Sequence, residues 1–214
     1  VFASIPVPPE RGSTKGTHVN HIFKQANADF ITDYLVVGGD LDQDNNQAVH
    51  QAVELGDTAG ITHVLDVRLE ANDSGLWSYM PDVAYRWDGM DDAGQVVPDA
   101  WWDGIADWAV SAITAGGRVL VHCHMGINRS PSAAYAILLT MGWDPVEALA
   151  AIRSARPIAN AWYAEQALTW HLKRTNTPPR QAAQAHRQLA AWRREHPLDV
   201  VRIIADVRTR TNDW

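Results

Sequence analysis

The residues with most chemical potential stand together in ten positions, Val121-His122-Cys123-His124-Met125-Gly126-Ile127-Asn128-Arg129-Ser130. Cys123 is the only cysteine among 214 residues, so it forms no internal disulfide and its thiol is available for chemistry. It ends the apolar run Arg118-Val119-Leu120-Val121-His122, and Arg129 leads into Ser130-Pro131-Ser132-Ala133, which opens a helix with proline in its first turn. A strand, a short loop and a helix N-terminus form an anion site: loop amides converge on the ligand, and the helix dipole adds favourable potential. The chain from Cys123 to Arg129 can wrap once around a tetrahedral oxyanion. Gly126 permits a backbone turn that other residues resist, and Arg129 offers a planar fork for two phosphate oxygens.

The same surroundings favour thiolate over thiol. A free thiol at pH 7 is only about 3% thiolate, so full ionisation raises the nucleophile population about 30-fold, worth about 2 kcal/mol. Phosphate-ester hydrolysis needs far more acceleration than that. Most of it must come from a cradle complementary to the equatorial oxygens of the transferring phosphoryl group.

The elements that hold this loop read as alternating strands and helices. Strands are expected at 34–39, 62–67, 83–87 and 118–122. Helices are expected from about Asp44 to Gly56, from Pro98 to Gly116, from Ser130 to about Gly142, from Asp144 to about Ser154 and from Asn160 to about Arg174. That alternation implies an α/β fold, a central mixed, mainly parallel sheet flanked by helices, with the loop at the carboxyl end of its strand. Residues 1–20, rich in Pro, Gly, Ser and Thr, read as an irregular arm. Residues 21–175 read as the domain, and 176–214 as a two-helix C-terminal appendage. The appendage carries apolar faces, Leu189 with Trp192 and Val201 with Ile204, that need cover from the body or from a partner subunit; a homodimer through these helices is one way to supply it. It is expected to be dispensable for chemistry.

On these residues the chain resembles the cysteine-dependent phosphatases, in their dual-specificity branch. His122, Cys123, five residues, Arg129 and Ser130 match that signature. Residues 34–39 and 60–67 resemble its strands, and Arg156-Pro157-Ile158-Ala159-Asn160 the segment after its phosphate loop. The resemblance implies a phosphocysteine intermediate, no metal and no cofactor. It makes Cys123 the nucleophile, residues His124, Met125, Gly126, Ile127, Asn128 and Arg129 the phosphate binders, and Ser130 a donor to the departing sulfur. His122, through hydrogen bonds, and Asn160 would brace the loop. The family's general acid commonly lies 31 positions before the cysteine, which is Asp92; Asp91 is the alternative, and Asp88 reads as a loop cap. Three carboxylates in five residues repel one another's charge, which would help keep one protonated.

Charge and composition exclude other classes. Residues 1–175 hold 11 Lys and Arg against 21 Asp and Glu, while residues 176–214 hold 7 against 4. An acidic body attracts no long polyanion, so nucleic acid is not an expected partner. No stretch approaches the roughly 18 to 20 apolar residues of a membrane span, and the sequence opens without a basic segment before an apolar block. With a lone cysteine, this suits a reducing, cytoplasmic setting. His122 and His124 flank Cys123, but adjacent strand residues point to opposite faces, so Cys123 faces away from both, and no further ligand cluster supports a metal. The ten tryptophans include Trp101, Trp102 and Trp108 at helical spacing, which read as packing rather than carbohydrate contacts. The expected substrate is a protein phosphorylated on tyrosine, serine or threonine. Asn128 also occurs in RNA 5′-phosphatases of the family, and the absence of loop lysines weakens a phosphoinositide; a non-protein phosphoester and a silent phosphate-binding module are the alternatives.

Overall fold

Strict alternation along three short strands builds a sheet that is buried on both faces. Leu35, Val37, Leu65, Val67, Val119 and Val121 point into one core, while Val36, Val64 and Leu120 point into the other. The computed structural model describes residues 22–212; the arm expected over 1–20 lies outside the described residues. Five strands, β1 (Ala28–Thr32), β2 (Leu35–Gly38), β3 (His63–Arg68), β4 (Ala84–Met90) and β5 (Val119–His122), lie in the order β1-β2-β5-β3-β4. β1 is antiparallel to β2, and the other three pairings are parallel. The sheet is thus mixed and mainly parallel, as expected, with β5 at its centre.

Helices cover both faces: α1 (Asn45–Val53), α2 (Ser74–Trp77), α3 (Asp99–Thr114), α4 (Arg129–Thr140), α5 (Pro145–Ala155), α6 (Ala164–Arg174), α7 (Pro179–Glu195) and α8 (Val200–Asn212). The larger core is centred on α4, whose residues from Arg129 to Leu139 are all buried. Ala133, Ala134 and Ala136 let it lie close to the sheet and to α3, α5 and α6. Such a helix must be apolar nearly all round. Its N-terminus stands just beyond the end of β5, so the loop that joins them is anchored at both ends in the core.

Three expectations shift. β1 was not anticipated, because Ala28-Asp29-Phe30-Ile31-Thr32 is a half-buried edge strand of mixed polarity. The helix from Asp44 does not stop near Gly56; α1 runs on through one π-helical turn, Glu54–Thr58. That turn directs Glu54 inward, where its carboxylate accepts from the amides of Lys24, Gln25 and Ala26 at 2.7–2.8 Å. The helix expected from Asn160 starts at Ala164, because residues 160–163 form a turn in which Ala161 has φ 49°. The expected break near residue 175 falls between α6 and α7, yet Leu189 of α7 is fully buried and belongs to the larger core.

Candidate active site

Where β5 ends, the chain turns back over the thiol of Cys123, which is 2% exposed. The Gly126 amide donates to Sγ at 3.3 Å, and the Ser130 hydroxyl lies 3.2 Å from Sγ and 2.9 Å from the carbonyl of Gly38, to either of which it can donate. Gly126 has φ 68°, and a Cβ there would lie 2.3 Å from the Arg156 guanidinium. Both facts require glycine. Arg156 clamps the loop from outside: it donates to the carbonyls of Gly126 (2.8 Å) and Met125 (3.1 Å), and is held by Asp29 of β1 and by Asn27 just before it. On the far side the amides of Asn160 and Ala161 both donate to the Ile127 carbonyl, and Asn160 Nδ2 donates to Asn128 Oδ1 at 3.0 Å. Turning these carbonyls outward leaves the loop's interior to amides.

Arg129 is almost buried, and its five N–H groups can be followed one by one. Nη1 donates to Glu70 Oε2 at 2.6 Å and to the Met90 carbonyl at 3.1 Å, and Nη2 donates to Glu70 Oε1 at 2.6 Å. Nε is buried and has no hydrogen-bond partner among the described residues. Nε–H and the second Nη2 hydrogen lie on the same edge of the guanidinium, a bidentate fork still open. Burial works against the charge on Arg129, but Glu70, Cys123 and Asp92 more than offset it and hold the guanidinium further protonated than usual. In return the hydrogen bonds from Arg129 bring Glu70 down to about 2.

Asp92 stands at that open edge. Its Oδ2 lies 3.9 Å from Arg129 Nε and accepts from Asn128 Nδ2 at 3.3 Å. Asp91 does other work: its Oδ1 accepts from the Asp92 amide, and its carbonyl accepts from Gln95 Nε2 and from the Tyr163 hydroxyl. Tyr163 also accepts from the Gly94 amide at 3.0 Å, so α6 and its leading turn hold the acidic loop. Asp88 pairs with Arg86. The three carboxylates expected to crowd one another are thus partnered separately.

The family described as dual specificity phosphatase, catalytic domain, matches residues 45–171. The chain belongs to that family. Dual specificity protein phosphatase 15 of Mus musculus is 30% identical over 103 residues, 47% of this chain and 41% of that protein. Protein phosphatase Slingshot homolog 3 of Mus musculus is 30% identical over 99 residues, 46% of this chain but 15% of that protein. The chain therefore matches less than half the length of either relative. Among solved structures, PTPMT1 in complex with PI(5)P superposes with a TM-score of 0.59 at 20% identity, over 70% of this chain and 97% of that one. Human DUSP28 gives 0.57 at 23% identity, over 70% and 95%. At these identities the likeness is one of fold.

Beside the cradle, the phosphatase domain holds a second charged cluster, at the end of β3. Arg68 is buried among Asp66, Asp73 and Asp40: it pairs with Asp66 at 2.6 Å, with Asp73 at 2.5 Å, and with Asp40. Asp40, Asp73 and His122 bring one potential ligand atom each within 4.8 Å of one another. The Arg68 guanidinium pairs with both of these carboxylates, so the donor set is already met by a cation of the protein's own. His122 needs a correction. It was expected to brace the loop through hydrogen bonds, yet neither ring nitrogen has a hydrogen-bond partner among the described residues. Its Nε2 lies 3.7 Å from Asp66 Oδ2, an oxygen already taken by Arg68 Nη2 and the Tyr85 hydroxyl. Burial disfavours the charged imidazole and lowers its pKa. His124 turns its Nδ1 to Asp40 Oδ2 at 3.3 Å, away from the cradle's interior, so its contribution to the loop is its backbone.

The structure thus brings Cys123, Gly126, Arg129, Ser130, Asp92, Asn128 and Asn160 together, and sequence reasoning missed Glu70, Arg156 and Tyr163. Glu70 could have been suspected, since it follows β3 by two residues and strand carboxyl ends surround such sites. Arg156 and Tyr163 act through tertiary contacts that no local pattern marks.

Proposed function

We propose that this chain is a metal-independent phosphatase that hydrolyses phosphomonoesters through a phosphocysteine intermediate. The observation that carries the reading is the open Nε–Nη2 edge of buried Arg129, set in the loop that closes on the Cys123 thiol. A buried donor edge without an acceptor is costly to keep, and a tetrahedral dianion is the ligand that fits two donors and converging amides.

The steps follow from these groups. The phosphate takes the Nε–Nη2 edge, beside which Asp92 stands 3.9 Å from Nε, while Glu70 holds the adjacent Nη1–Nη2 edge and fixes the plane of the fork. The Cys123 thiolate attacks phosphorus, the ester P–O bond breaks, and its electron pair leaves on oxygen. Asp92 supplies the proton, a contribution of roughly 10²- to 10⁴-fold. Asp92, now a carboxylate, takes a proton from water as that oxygen attacks the phosphocysteine. The P–S bond breaks, the thiolate departs with a hydrogen bond from Ser130, and phosphate is released.

The substrate class proposed is phosphoprotein, on tyrosine and on serine or threonine. Around the cradle Glu70 is 49% and His124 53% exposed, so the rim is open rather than a deep slot that would demand a long aryl side chain. A lone cysteine supports a reducing, cytoplasmic setting in this reading. Phosphate release from matched phosphotyrosine, phosphoserine and phosphothreonine peptides tests it. Release from all three, fastest from tyrosine because aryl oxygens leave better, is expected; a folded protein that releases none of them contradicts the substrate class.

A further inference from the structure

Arg193 lies on α7, outside the residues matched by the family, yet it reaches the turn behind the phosphate loop. Its Nη2 donates to the Ala161 carbonyl at 2.6 Å and its Nη1 to the Asn160 carbonyl at 3.3 Å. We propose that Arg193 is a positioning residue for the active site: by holding these carbonyls it fixes the turn that supports the phosphate loop and sets Asp92. The proposal rests on the reading of Asp92 as the general acid.

The connection is a continuous series of hydrogen bonds. The amides of Asn160 and Ala161 donate to the Ile127 carbonyl at 2.8 and 2.9 Å. Asn160 Nδ2 donates to Asn128 Oδ1 at 3.0 Å, and Asn128 Nδ2 donates to Asp92 Oδ2 at 3.3 Å. The turn that begins this series includes Ala161 at φ 49°, a conformation that residues with a Cβ resist unless their surroundings hold it.

Docking of α7 alone does not explain the arginine. Leu189, Trp192 and Ala185 already pack the helix against the body. Arg153 of α5 also converges on this turn, donating to the carbonyls of Ala159 and Asn160 and, from its Nη1, to the His196 carbonyl beyond α7. Burial and then the charge of Arg193 push Arg153 down to about 10, so the two guanidiniums oppose each other there. Two like charges brought together in a half-buried place work against docking. What they share is the set of carbonyls at 159–161.

The test compares phenyl phosphate, whose leaving oxygen needs a proton, with p-nitrophenyl phosphate, whose leaving group is a stable anion. A merely structural role lowers the active fraction and scales kcat equally on both substrates. A misplaced acid changes their ratio. Arg193→Ala is expected to lose about tenfold in kcat on phenyl phosphate and about threefold or less on the nitrophenyl ester, with KM within about twofold. Arg193→Lys should shift the ratio in the same direction by less, and it carries the test if Arg193→Ala does not fold. Arg194→Ala, exposed one residue on, should shift nothing. Asp92→Asn is measured in parallel. If it shows the leaving-group dependence and neither Arg193 variant does, the positioning role is overturned alone; if Asp92→Asn is itself flat, the acid assignment falls and the positioning role with it.

Discussion

Two buried arginines stand at the carboxyl ends of neighbouring strands, and they have opposite fates. Arg68, which ends β3, is surrounded by Asp40, Asp66 and Asp73. Arg129, which opens α4 after β5, hydrogen-bonds one carboxylate, Glu70, across its Nη1–Nη2 edge, while Asp92 stays 3.9 Å from Nε, which has no hydrogen-bond partner among the described residues. Burial costs both cations solvation, so each needs compensation. Three carboxylates saturate Arg68 and make it an anchor. One closely paired carboxylate, Glu70, orients Arg129 and leaves it a binding group. The number of carboxylates held at close range, three at Arg68 and one at Arg129, more than burial or residue type, decides which arginine a phosphate can reach.

The largest effect should come from altering the open side. Arg129→Lys replaces a planar fork with one point charge, and turnover of an aryl phosphate should fall at least roughly 10²- to 10³-fold, the scale of lost transition-state donors. Steady-state kinetics and a melting curve on the same sample check it. A loss of turnover that merely follows a loss of fold would remove the contrast with Arg68. The closed side should respond the other way. Arg68→Met leaves the aspartates without their shared cation, a change expected to cost about 3–5 kcal/mol of stability, the scale for breaking a buried pair. Denaturant unfolding measures this, and the activity remaining per folded molecule should change little.

The smallest effect sharpens the role of Glu70. Its carboxyl lies at about 2 in the folded protein against a usual 4.5, because Arg129 stabilises its charge. A lowered acid contributes stability in full above its unfolded value, and that contribution fades as pH falls from 4.5 towards 2. The melting temperature of Glu70→Gln should therefore lie below that of the wild type near pH 6 and converge with it as pH drops through this window. A gap that stays constant with pH would mean that the pair does not hold Arg129.

The cradle was legible because its chemistry is local. Cys123, Gly126, Arg129 and Ser130 fall within eight positions between an apolar strand and a helix start, and each residue type answers a need of a bound oxyanion. The sheet was legible for a similar reason: strands buried on both faces, such as Val119-Leu120-Val121, are unbroken apolar runs. Asp92 was reached only through the resemblance, since nothing local separates it from Asp91. The structure separates them by what each touches. What stayed hidden depends on distance along the chain: Glu70 is 59 positions from Arg129, and Asp29 is 127 from Arg156. The hydrogen bonds expected of His122 failed for a related reason, because the sequence does not reveal that Arg68 and Tyr85 already occupy Asp66. The tail was read as an appendage from its change of composition. Its α7 is tied to the body by Leu189 and Arg193, whereas Val201 on α8 remains 81% exposed.

The most direct measurement is of the covalent intermediate. Asp92→Asn, mixed with p-nitrophenyl phosphate, forms the intermediate readily because the leaving group needs no proton, but it hydrolyses it slowly because water lacks its base. Acid quenching followed by mass spectrometry should then find one phosphoryl group per chain, on the peptide that contains Cys123, and none in Cys123→Ser carrying the same Asp92→Asn change. Label on another residue, or nitrophenolate release that persists in Cys123→Ser with no label on the chain, would contradict a thiolate nucleophile in this loop.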